Sequence, residues 1–438
     1  MSKILIRGMV LPLTGPDDFY PEGEIALEGE RILSVGEKGS APTEFVPERI
    51  LDYPNDVFLP GLINTHTHAA MTLLRSYADD LPLMPWLETK VWPFENKMSD
   101  QDIYWGTALA LCEMIRSGTT TMLDMYMAMD KVAEAVLTAG TRAVLARGMI
   151  GNAPNGQKAL AENLELIRNF HKQGDNRITV MLGPHAPYTC SGEFLRQVKA
   201  EADRSGVGIH IHIAETRDEL DIIRRQYGLT PVKWLDSLGI FGGHVVGAHC
   251  VHLTAEDLEI MAEKNVRVAH NPESNMKLNS GTAPVPALQA KGVIVGLGTD
   301  GVSSNNNLDM FGEMRCASLL QKLQVESTAL PAYKVLEMAT VGGARVLGLD
   351  DVGKLVPGFK ADLIGINLDQ PHFYPRFSLP GHLVYSANAA DVRTVIVNGK
   401  IIMEERNLLT LDEKKICYEV ETRAKRIAGE LDKEGIID

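Results

Sequence analysis

Hydrophobic and polar positions along the middle of the chain alternate between two patterns. Short apolar runs, typical of buried strands, are each followed by longer stretches in which apolar residues recur at helical spacing. These runs predict eight strands: 58–64, 119–126, 143–150, 178–183, 208–213, 245–248, 267–269 and 293–298. Eight strand–helix units over roughly 300 residues favour an α/β fold, a (β/α)8 TIM-like barrel. A doubly wound open sheet is the alternative, because a strand count alone does not close a barrel.

The two ends of the chain show a different pattern, in which short strands are separated by Gly, Pro and charged residues. Predicted strands are 4–13, 24–27 and 31–35 at one end and 361–368 and 392–403 at the other. The last of these contains Asn398-Gly399, which favours a hairpin because type I′ turns need positive φ at both central residues. We therefore predict a small β-sandwich domain formed by residues 1–56 and 356–438 around a catalytic barrel of residues 57–355. Helical spacing predicts a C-terminal helix in 411–431.

Composition limits the classes of partner. The chain has 438 residues, 45% of them hydrophobic, and a net charge of −14, which argues against nucleic acid or an anionic membrane as a partner. No apolar stretch approaches the ~18 residues of a membrane helix, and Arg7 interrupts the run that a signal peptide needs. The five cysteines are scattered without a C-x-x-C pair, which favours reduced thiols. We expect a cytoplasmic protein; a homo-oligomer is compatible with this composition, which leaves the assembly state open.

Residues that can carry chemistry lie at the predicted strand ends, where barrel enzymes have their active sites. His66 and His68 follow the first strand, and residues two apart in a strand share a face, so both imidazoles can point at one divalent metal ion. The other strand ends carry His185 (fourth), His210, His212 and Glu215 (fifth), His249 (sixth), His270 (seventh) and Asp300 (eighth). Because burying such groups unpaired costs several kcal/mol each, their convergence predicts a functional site.

Some of these positions have other interpretations. A single histidine near a strand end is usually structural, so His185 and His249 matter only through convergence. His210 lies one layer deeper than His212 and fits the core or a place behind the ligands. His270 fits a structural role as well as a functional one.

Residues 296–301 match G-x-G-x-x-G, which is typical of dinucleotide binding. Against that oxidoreductase hypothesis, Asp300 would lie beside the pyrophosphate, and turn-forming residues follow in place of a helix.

Four motifs together resemble a known family. They are PGLINTHTH at 60–68, HIHIAET at 210–216, HNPESN at 270–275 and GTDG at 298–301. The chain resembles the amidohydrolase superfamily, in its metal-dependent aminohydrolase branch of 5′-methylthioadenosine/S-adenosylhomocysteine deaminases, over nearly its whole length. The resemblance implies one divalent metal, usually zinc with iron(II) as the alternative, held by His66, His68, His212 and Asp300. Relatives with two metals have a modified lysine at the end of the fourth strand. His185 stands there in this chain, which favours the type with one metal.

The same resemblance implies a reaction, the hydrolytic deamination of a small-molecule nucleoside at adenine C6. In the implied mechanism Glu215 protonates the ring and relays protons, His249 orients or deprotonates water, and Asp300 contacts both metal and water. The residues implied to contact substrate are Glu95 (at the ribose hydroxyls), Arg147 (at a carboxylate), His185, Glu215 and Asp300. Trp86 and Trp92 fit substrate contact and core packing equally well.

Two rival functions use the same residues. The first is another amidohydrolase-family aminohydrolase or chlorohydrolase acting on guanine, a pterin or a triazine; Glu95 and Arg147 favour a nucleoside over these. The second is a non-catalytic relative that serves in assembly, which would be expected to lose metal ligands, whereas this chain has every implied one. A simpler interpretation of Glu215 is a carboxylate that stabilises a helix N-terminus.

Overall fold

The strands of this computed structural model, which describes residues 2–81 and 83–434, form two separate eight-stranded sheets. Met1 and residues 435–438 of the predicted terminal segments lie outside the described residues. The strands are β1 (Lys3–Val10), β2 (Tyr20–Glu28), β3 (Arg31–Glu37), β4 (Arg49–Pro60), β5 (Leu62–Thr67), β6 (Thr119–Tyr126), β7 (Arg142–Met149), β8 (Ile178–Pro184), β9 (Ile209–Ile213), β10 (Val245–His249), β11 (Arg267–His270), β12 (Val295–Leu297), β13 (Leu363–Asn367), β14 (Val392–Val397), β15 (Lys400–Glu404) and β16 (Asn407–Leu408).

Of the helices described, the first twelve lie between strands β5 and β12 along the chain, and the other five follow β12. They are α1 (Leu83–Trp86), α2 (Trp92–Glu95), α3 (Asp100–Arg116), α4 (Met129–Ala139), α5 (Gly156–Phe170), α6 (Gln173–Asn176), α7 (Gly192–Ser205), α8 (Arg217–Tyr227), α9 (Pro231–Ser237), α10 (Ala255–Glu263), α11 (Pro272–Lys277), α12 (Val285–Ala290), α13 (Met310–Gln324), α14 (Ala332–Glu337), α15 (Gly343–Leu347), α16 (Leu379–Tyr385) and α17 (Glu413–Lys433). Short 3-10 and π turns at Ala69–Leu74, Leu87–Val91, Pro187–Thr189, Met338–Gly342, Pro371–Phe373 and Ala389–Asp391 complete the connections.

Strands β5 to β12 run parallel, and each pairs with the next along the chain. The last strand returns to the first: the backbone N–H of Asp300 donates to the carbonyl of His66 at 2.9 Å, and Thr65 Oγ1 donates to the carbonyl of Leu297 at 2.8 Å. A Cβ added to Gly298 would lie 2.4 Å from Asn271 Oδ1, so the closure requires glycine there. The predicted TIM-like barrel is confirmed. Gly298, one of the glycines in the G-x-G-x-x-G match, is needed for the close packing at this closure.

The other sheet is mixed and combines both chain ends in the order β16-β15-β14-β13-β4-β1-β2-β3. The predicted hairpin is confirmed, since Asn398 and Gly399 have φ of 51° and 70° between β14 and β15. The predicted α17 is confirmed as well, with Ile416 and Ile427 buried. The domain boundaries at 56/57 and 355/356 stay a prediction. No helix in the described part of the chain combines the length and the apolar character that a membrane crossing requires.

The predicted first barrel strand, 58–64, was wrong at its start. Residues 58–60 belong to β4 of the mixed sheet, where Phe58 pairs with Gly365 and Pro60 with Leu363. The barrel strand begins only at Leu62. Gly61 lets the chain pass between the sheets, because a Cβ at this position would lie 2.2 Å from the side chain of Thr120. A continuous apolar run covered both strands, because both are buried.

A buried ion pair joins the two sheets at the amino end of the barrel strands. Arg142, at the start of β7, donates from Nε to Asp362 Oδ2 at 2.7 Å and from Nη2 to Asp362 Oδ1 at 3.1 Å. The backbone N–H of Asn398 in the hairpin donates to the same carboxylate at 2.7 Å. Both charged side chains are less than 5% exposed. The pair therefore holds barrel, β13 and hairpin in one arrangement.

We expect Arg142→Met to destabilise the fold by about 3–5 kcal/mol, because it leaves the buried Asp362 carboxylate without its cation. The midpoint of thermal unfolding measures the effect. Lys425→Met is the matched control, since it removes an exposed ion pair with Glu421 on α17 and should cost less than about 1 kcal/mol. Equal shifts in the two variants would contradict a special role for the buried pair.

Candidate metal and catalytic site

A cavity of about 570 Å³ opens at the carboxyl ends of the barrel strands. Its lining contains almost every residue that the sequence predicted for the site: His68, Glu95, Arg147, His185, His212, Glu215, His249 and Asp300. His66 lies beneath the cavity floor and is fully buried. Trp86 and Trp92 also line the cavity. The barrel thus brings together, at the carboxyl ends of its strands, residues that are up to 234 positions apart in the sequence. This convergence agrees with the sequence analysis.

Three donor atoms converge at the cavity floor. The Nε2 atoms of His66 and His68 each lie 3.2 Å from Asp300 Oδ1. His66 also forms a second triplet with His212 and His249, in which the ligand atoms lie within 4.8 Å of one another. His66 Nε2 is buried and has no well-oriented hydrogen-bond partner among the described residues. Ligand atoms about 2.0–2.1 Å from a tetrahedral zinc lie about 3.3 Å apart, so the spacing fits a shared divalent cation.

The three imidazoles each have an acceptor for a hydrogen on Nδ1, which leaves the Nε2 lone pair for a metal. His68 Nδ1 lies 2.6 Å from the carbonyl of Met125, and His212 Nδ1 lies 2.7 Å from the carbonyl of His185. His66 Nδ1 lies 2.8 Å from His210 Nε2, and His210 Nδ1 in turn lies 3.2 Å from the carbonyl of Val246. We assign the hydrogens of all four rings to Nδ1 on this network. His210 was predicted to lie in the core or behind the metal ligands. In the structure its Nε2 atom is the acceptor for the Nδ1 hydrogen of His66.

Protonation of these rings follows from burial and from Asp300. Burial lowers the pKa of His66 to about 4 and that of His212 well below its ordinary value, so both rings are neutral, as metal ligands must be. Burial also lowers the pKa of His68, but the contact with Asp300 outweighs it and raises the pKa to about 9. A divalent ion held by this cluster would take the place of that proton, so its binding at neutral pH would release a proton.

Two hydroxyl groups fix the orientation of Asp300. Ser274 Oγ and Ser304 Oγ donate to Asp300 Oδ2 at 2.7 and 2.8 Å, which leaves Oδ1 towards His66 and His68. Burial raises the pKa of Asp300, but the two imidazoles outweigh it and hold that pKa well below its usual range. The carboxylate is therefore ionised and presents one oxygen to the donor cluster.

A second acidic group faces the cavity beside His249. Glu215 Oε2 lies 3.7 Å from His249 Nε2, and burial raises the pKa of Glu215. His249 Nδ1 lies 2.9 Å from Asn275 Oδ1, which places the ring hydrogen on Nδ1 and leaves Nε2 as an acceptor. The arrangement brings a carboxyl that tends to keep its proton next to an imidazole that can take one.

The predicted substrate contacts lie around the cavity wall. Glu95 is half-buried, its Oε1 accepts the hydroxyl of Tyr126 at 2.5 Å, and burial raises its pKa to about 6. Arg147 donates from Nε to Glu162 at 2.8 Å and also to the carbonyl of Gly148. His185 Nδ1 lies 3.1 Å from Thr189 Oγ1. Each side chain keeps polar atoms available to a bound molecule, and their substrate roles stay predictions.

Sequence reasoning missed several residues that support the site. Ser274 and Asn275 lie in the HNPESN motif without an assigned role, and Ser304 lies in the segment interpreted only as turn-forming. Their hydroxyl and amide groups act through tertiary hydrogen bonds to side chains that end different strands. Only the position of Ser274 and Asn275 in the short helix α11 that follows β11 carried a signal for them.

Comparison with known proteins agrees with this architecture. Residues 57–402 match the amidohydrolase family model. The chain is 73% identical over 428 residues to the 5-methylthioadenosine/S-adenosylhomocysteine deaminase of Desulfitobacterium hafniense, covering 98% of this chain and 99% of that relative.

Solved structures with bound zinc have the same fold. An adenosine deaminase from Xanthomonas campestris with bound zinc superposes with a TM-score of 0.94 at 34% identity, covering 98% of this chain and 99% of that chain. A zinc complex of atrazine chlorohydrolase from Arthrobacter aurescens superposes with a TM-score of 0.89 at 25% identity, covering 96% and 100% respectively. Together with the donor cluster, these neighbours support a divalent metal ion in the described site.

We expect His210→Leu to weaken metal binding about 10–100-fold, because it removes the acceptor that holds the hydrogen of His66 on Nδ1. Competition with a chelator gives the dissociation constant. His210→Gln keeps an acceptor and should restore part of the affinity.

His270→Leu is the matched control for this change. His270 is buried on β11, and neither ring nitrogen has a hydrogen-bond partner among the residues described. Its replacement should leave metal affinity nearly unchanged. Equal losses in the His210 and His270 variants would show a general packing effect and contradict the assignment.

Proposed function

We propose a function on the premise that the chain belongs to the amidohydrolase family, as its motifs predicted. It is a metal-dependent hydrolase that deaminates adenosine derivatives, namely 5′-methylthioadenosine, S-adenosylhomocysteine and adenosine, at adenine C6. The products are the inosine derivative and ammonia. One observation carries the proposal: the buried Glu215 carboxyl faces the same cavity as the His–Asp donor cluster, in a chain 73% identical to a deaminase of that name. The cytoplasmic location and the assembly state stay predictions.

The donor cluster is the place of one divalent ion, with zinc as the proposed metal and iron(II) as the alternative. His66, His68, His212 and Asp300 would hold it, since imidazole nitrogen and carboxylate oxygen suit both metals. Such an ion, when bound, lowers the pKa of its water from 15.7 to about 7 and so supplies a nucleophile at neutral pH. The His66–Asp300 and His68–Asp300 spacings support this ligand set.

Glu215 supplies and returns the proton that the purine ring needs. The adenine ring is a poor electrophile until N1 is protonated, and a carboxyl with a raised pKa is suited to that donation. The same carboxylate then takes a proton from the oxygen that has been added at C6 and passes it to the amino group, which leaves as ammonia; the proton that His249 took from the attacking water then returns to Glu215. The distance of 3.7 Å to His249 Nε2 allows proton exchange between the two groups with little movement.

His249 and Asp300 take up the proton released by the attacking water. Nε2 of His249 is an acceptor because Asn275 holds the ring hydrogen on Nδ1. Asp300 has Oδ1 available because Ser274 and Ser304 occupy Oδ2. Both acceptors line the same cavity, where they can orient water towards the ring carbon.

The wall of the cavity recognises the rest of the nucleoside. Glu95 has one oxygen held by Tyr126 and offers the other to the ribose hydroxyls. Arg147, already paired with Glu162 through Nε, keeps donors for a substrate carboxylate, and His185 presents its second ring nitrogen. Trp86 and Trp92 supply apolar surface to the same cavity.

Release of ammonia from the purified, metal-loaded protein tests the proposal. We expect turnover of 5′-methylthioadenosine and S-adenosylhomocysteine, seen as the ultraviolet change from an adenosine to an inosine chromophore. The second candidate, favoured by the likeness to atrazine chlorohydrolase, is hydrolysis of a triazine. Turnover of a triazine or guanine with no ammonia from any adenosine derivative would replace the proposed function.

Glu215→Gln should lower turnover about 10²–10⁴-fold, because an amide cannot donate and recover a proton. Metal content should stay the same, since the proposed ligands do not include Glu215. Single-substrate kinetics and elemental analysis of the same preparation measure both. Turnover at the original rate would remove Glu215 from the mechanism and leave it as a helix N-terminal carboxylate.

Arg147→Gln should separate the two main substrates. A hydrogen bond to a charged group contributes about 1.5–3 kcal/mol, so KM for S-adenosylhomocysteine should rise on the order of 10-fold or more. 5′-Methylthioadenosine has no carboxylate and is the internal control, so its KM should change little. Equal changes for both substrates would assign Arg147 to the shape of the cavity.

A further inference from the structure

A second buried carboxyl group, that of Glu219, lies in the segment that follows β9 and is not among the residues that line the cavity. Its Oε1 accepts the backbone N–H of Ala214 at 2.8 Å, and its Oε2 accepts the backbone N–H of Glu215 at 2.9 Å. Glu219 is the third residue of α8, and Thr216 caps that helix by accepting the Glu219 N–H at 3.3 Å. In a capping box the third residue binds the N–H of the cap itself. Here the carboxylate reaches beyond Thr216, to the two residues that precede it.

The segment that Glu219 holds is strained. Ala214 has φ of +51°, in the left-handed region that costs an L-residue about 1–2 kcal/mol. The carbonyl of Ala214 accepts the N–H groups of Val251 at 3.1 Å and His252 at 2.9 Å, from the turn that follows His249. The turn after β10 therefore binds this segment on its carbonyl side, and Glu219 binds it on its amide side.

We propose that Glu219 is a positioning residue for Glu215. By fixing the main chain at Ala214 and Glu215, it aims the Glu215 carboxyl into the cavity, 3.7 Å from His249 Nε2. A displacement of about 1 Å at a reacting group can reduce a rate about 10²-fold, so two hydrogen bonds to the backbone suffice to matter. The kinetic part of this assignment rests on the proposed function, whereas the structural part does not.

Asp257 provides a matched control within the same chain. It is the third residue of α10 and is as deeply buried as Glu219. Thr254 donates its N–H and its hydroxyl to Asp257 Oδ2, both at 2.8 Å, and Thr230 Oγ1 donates to Oδ1 at 2.5 Å. Neither carboxylate is among the described residues that line the cavity. A change to the carboxamide thus removes an acceptor and adds a donor at both positions.

Glu219→Gln should lower kcat for 5′-methylthioadenosine about 10–100-fold, with KM and metal content changed less than about 3-fold. Asp257→Asn should keep kcat, although both variants lower the midpoint of thermal unfolding. Glu219→Asp, which keeps the carboxyl group on a shorter side chain, should give an intermediate kcat and replaces the Gln variant if that one does not fold. An unchanged kcat in the Glu219 variants, or equal losses in the Asp257 variant, would overturn the proposal.

Hydrogen exchange tests the same assignment without any turnover. The amides of Ala214 and Glu215 should exchange at least 10-fold faster in Glu219→Gln than in the wild-type chain, and Asp257→Asn should leave them unchanged. Unaltered exchange at these two amides would overturn the proposal. If the wild-type protein released no ammonia from adenosine derivatives, the proposed function would fail, while the exchange result would still decide whether Glu219 holds this segment.

Discussion

An imidazole offers a lone pair at Nε2 only when its hydrogen is held on Nδ1, and the whole site depends on this constraint. Each of three rings has its own acceptor for the Nδ1 hydrogen. For His68 it is the carbonyl of Met125 on β6, and for His212 it is the carbonyl of His185 after β8. For His66 it is the side chain of His210 across the barrel. Each of these acceptors lies on, or directly after, a strand other than that of its ring. A one-residue slip in strand register would turn His210 to the opposite face and move the two carbonyls away from their rings, so the donor cluster exists only in the assembled barrel.

The three acceptors differ in whether an amino-acid substitution can remove them. A backbone carbonyl is present whatever residue occupies the position, so the hydrogens of His68 and His212 are secured by the fold itself. The hydrogen of His66 depends on one particular side chain. Asp300 is likewise oriented by two side chains, Ser274 and Ser304. The ligands are thus held partly by the fold and partly by residues that substitution can change one at a time.

The sequence predicted well the features that depend on neighbouring residues, namely the strands and the residues at their ends. His66, His68, His212 and Asp300 could be placed because each lies within three residues of the end of a short apolar strand, and the ends of parallel strands meet. The eight barrel strands were found for the same reason. The start of the first one was misplaced because residues 58–60 are as buried in the mixed sheet as β5 is in the barrel, and hydrophobicity does not distinguish two sheets. Supporting hydrogen bonds such as Ser304 to Asp300 depend on side-chain directions, and periodicity carries no information about these.

Three residues at or just after the ends of barrel strands share an unfavourable backbone conformation. Ala214, His249 and Asp300 have φ of 51°, 70° and 61°, and none is a glycine. Each such residue costs on the order of 1–3 kcal/mol, which the packing of the rest of the protein must offset. Natural selection for this chain therefore acts on a trade-off: a substitution that relaxed these turns would make the protein more durable and a poorer catalyst.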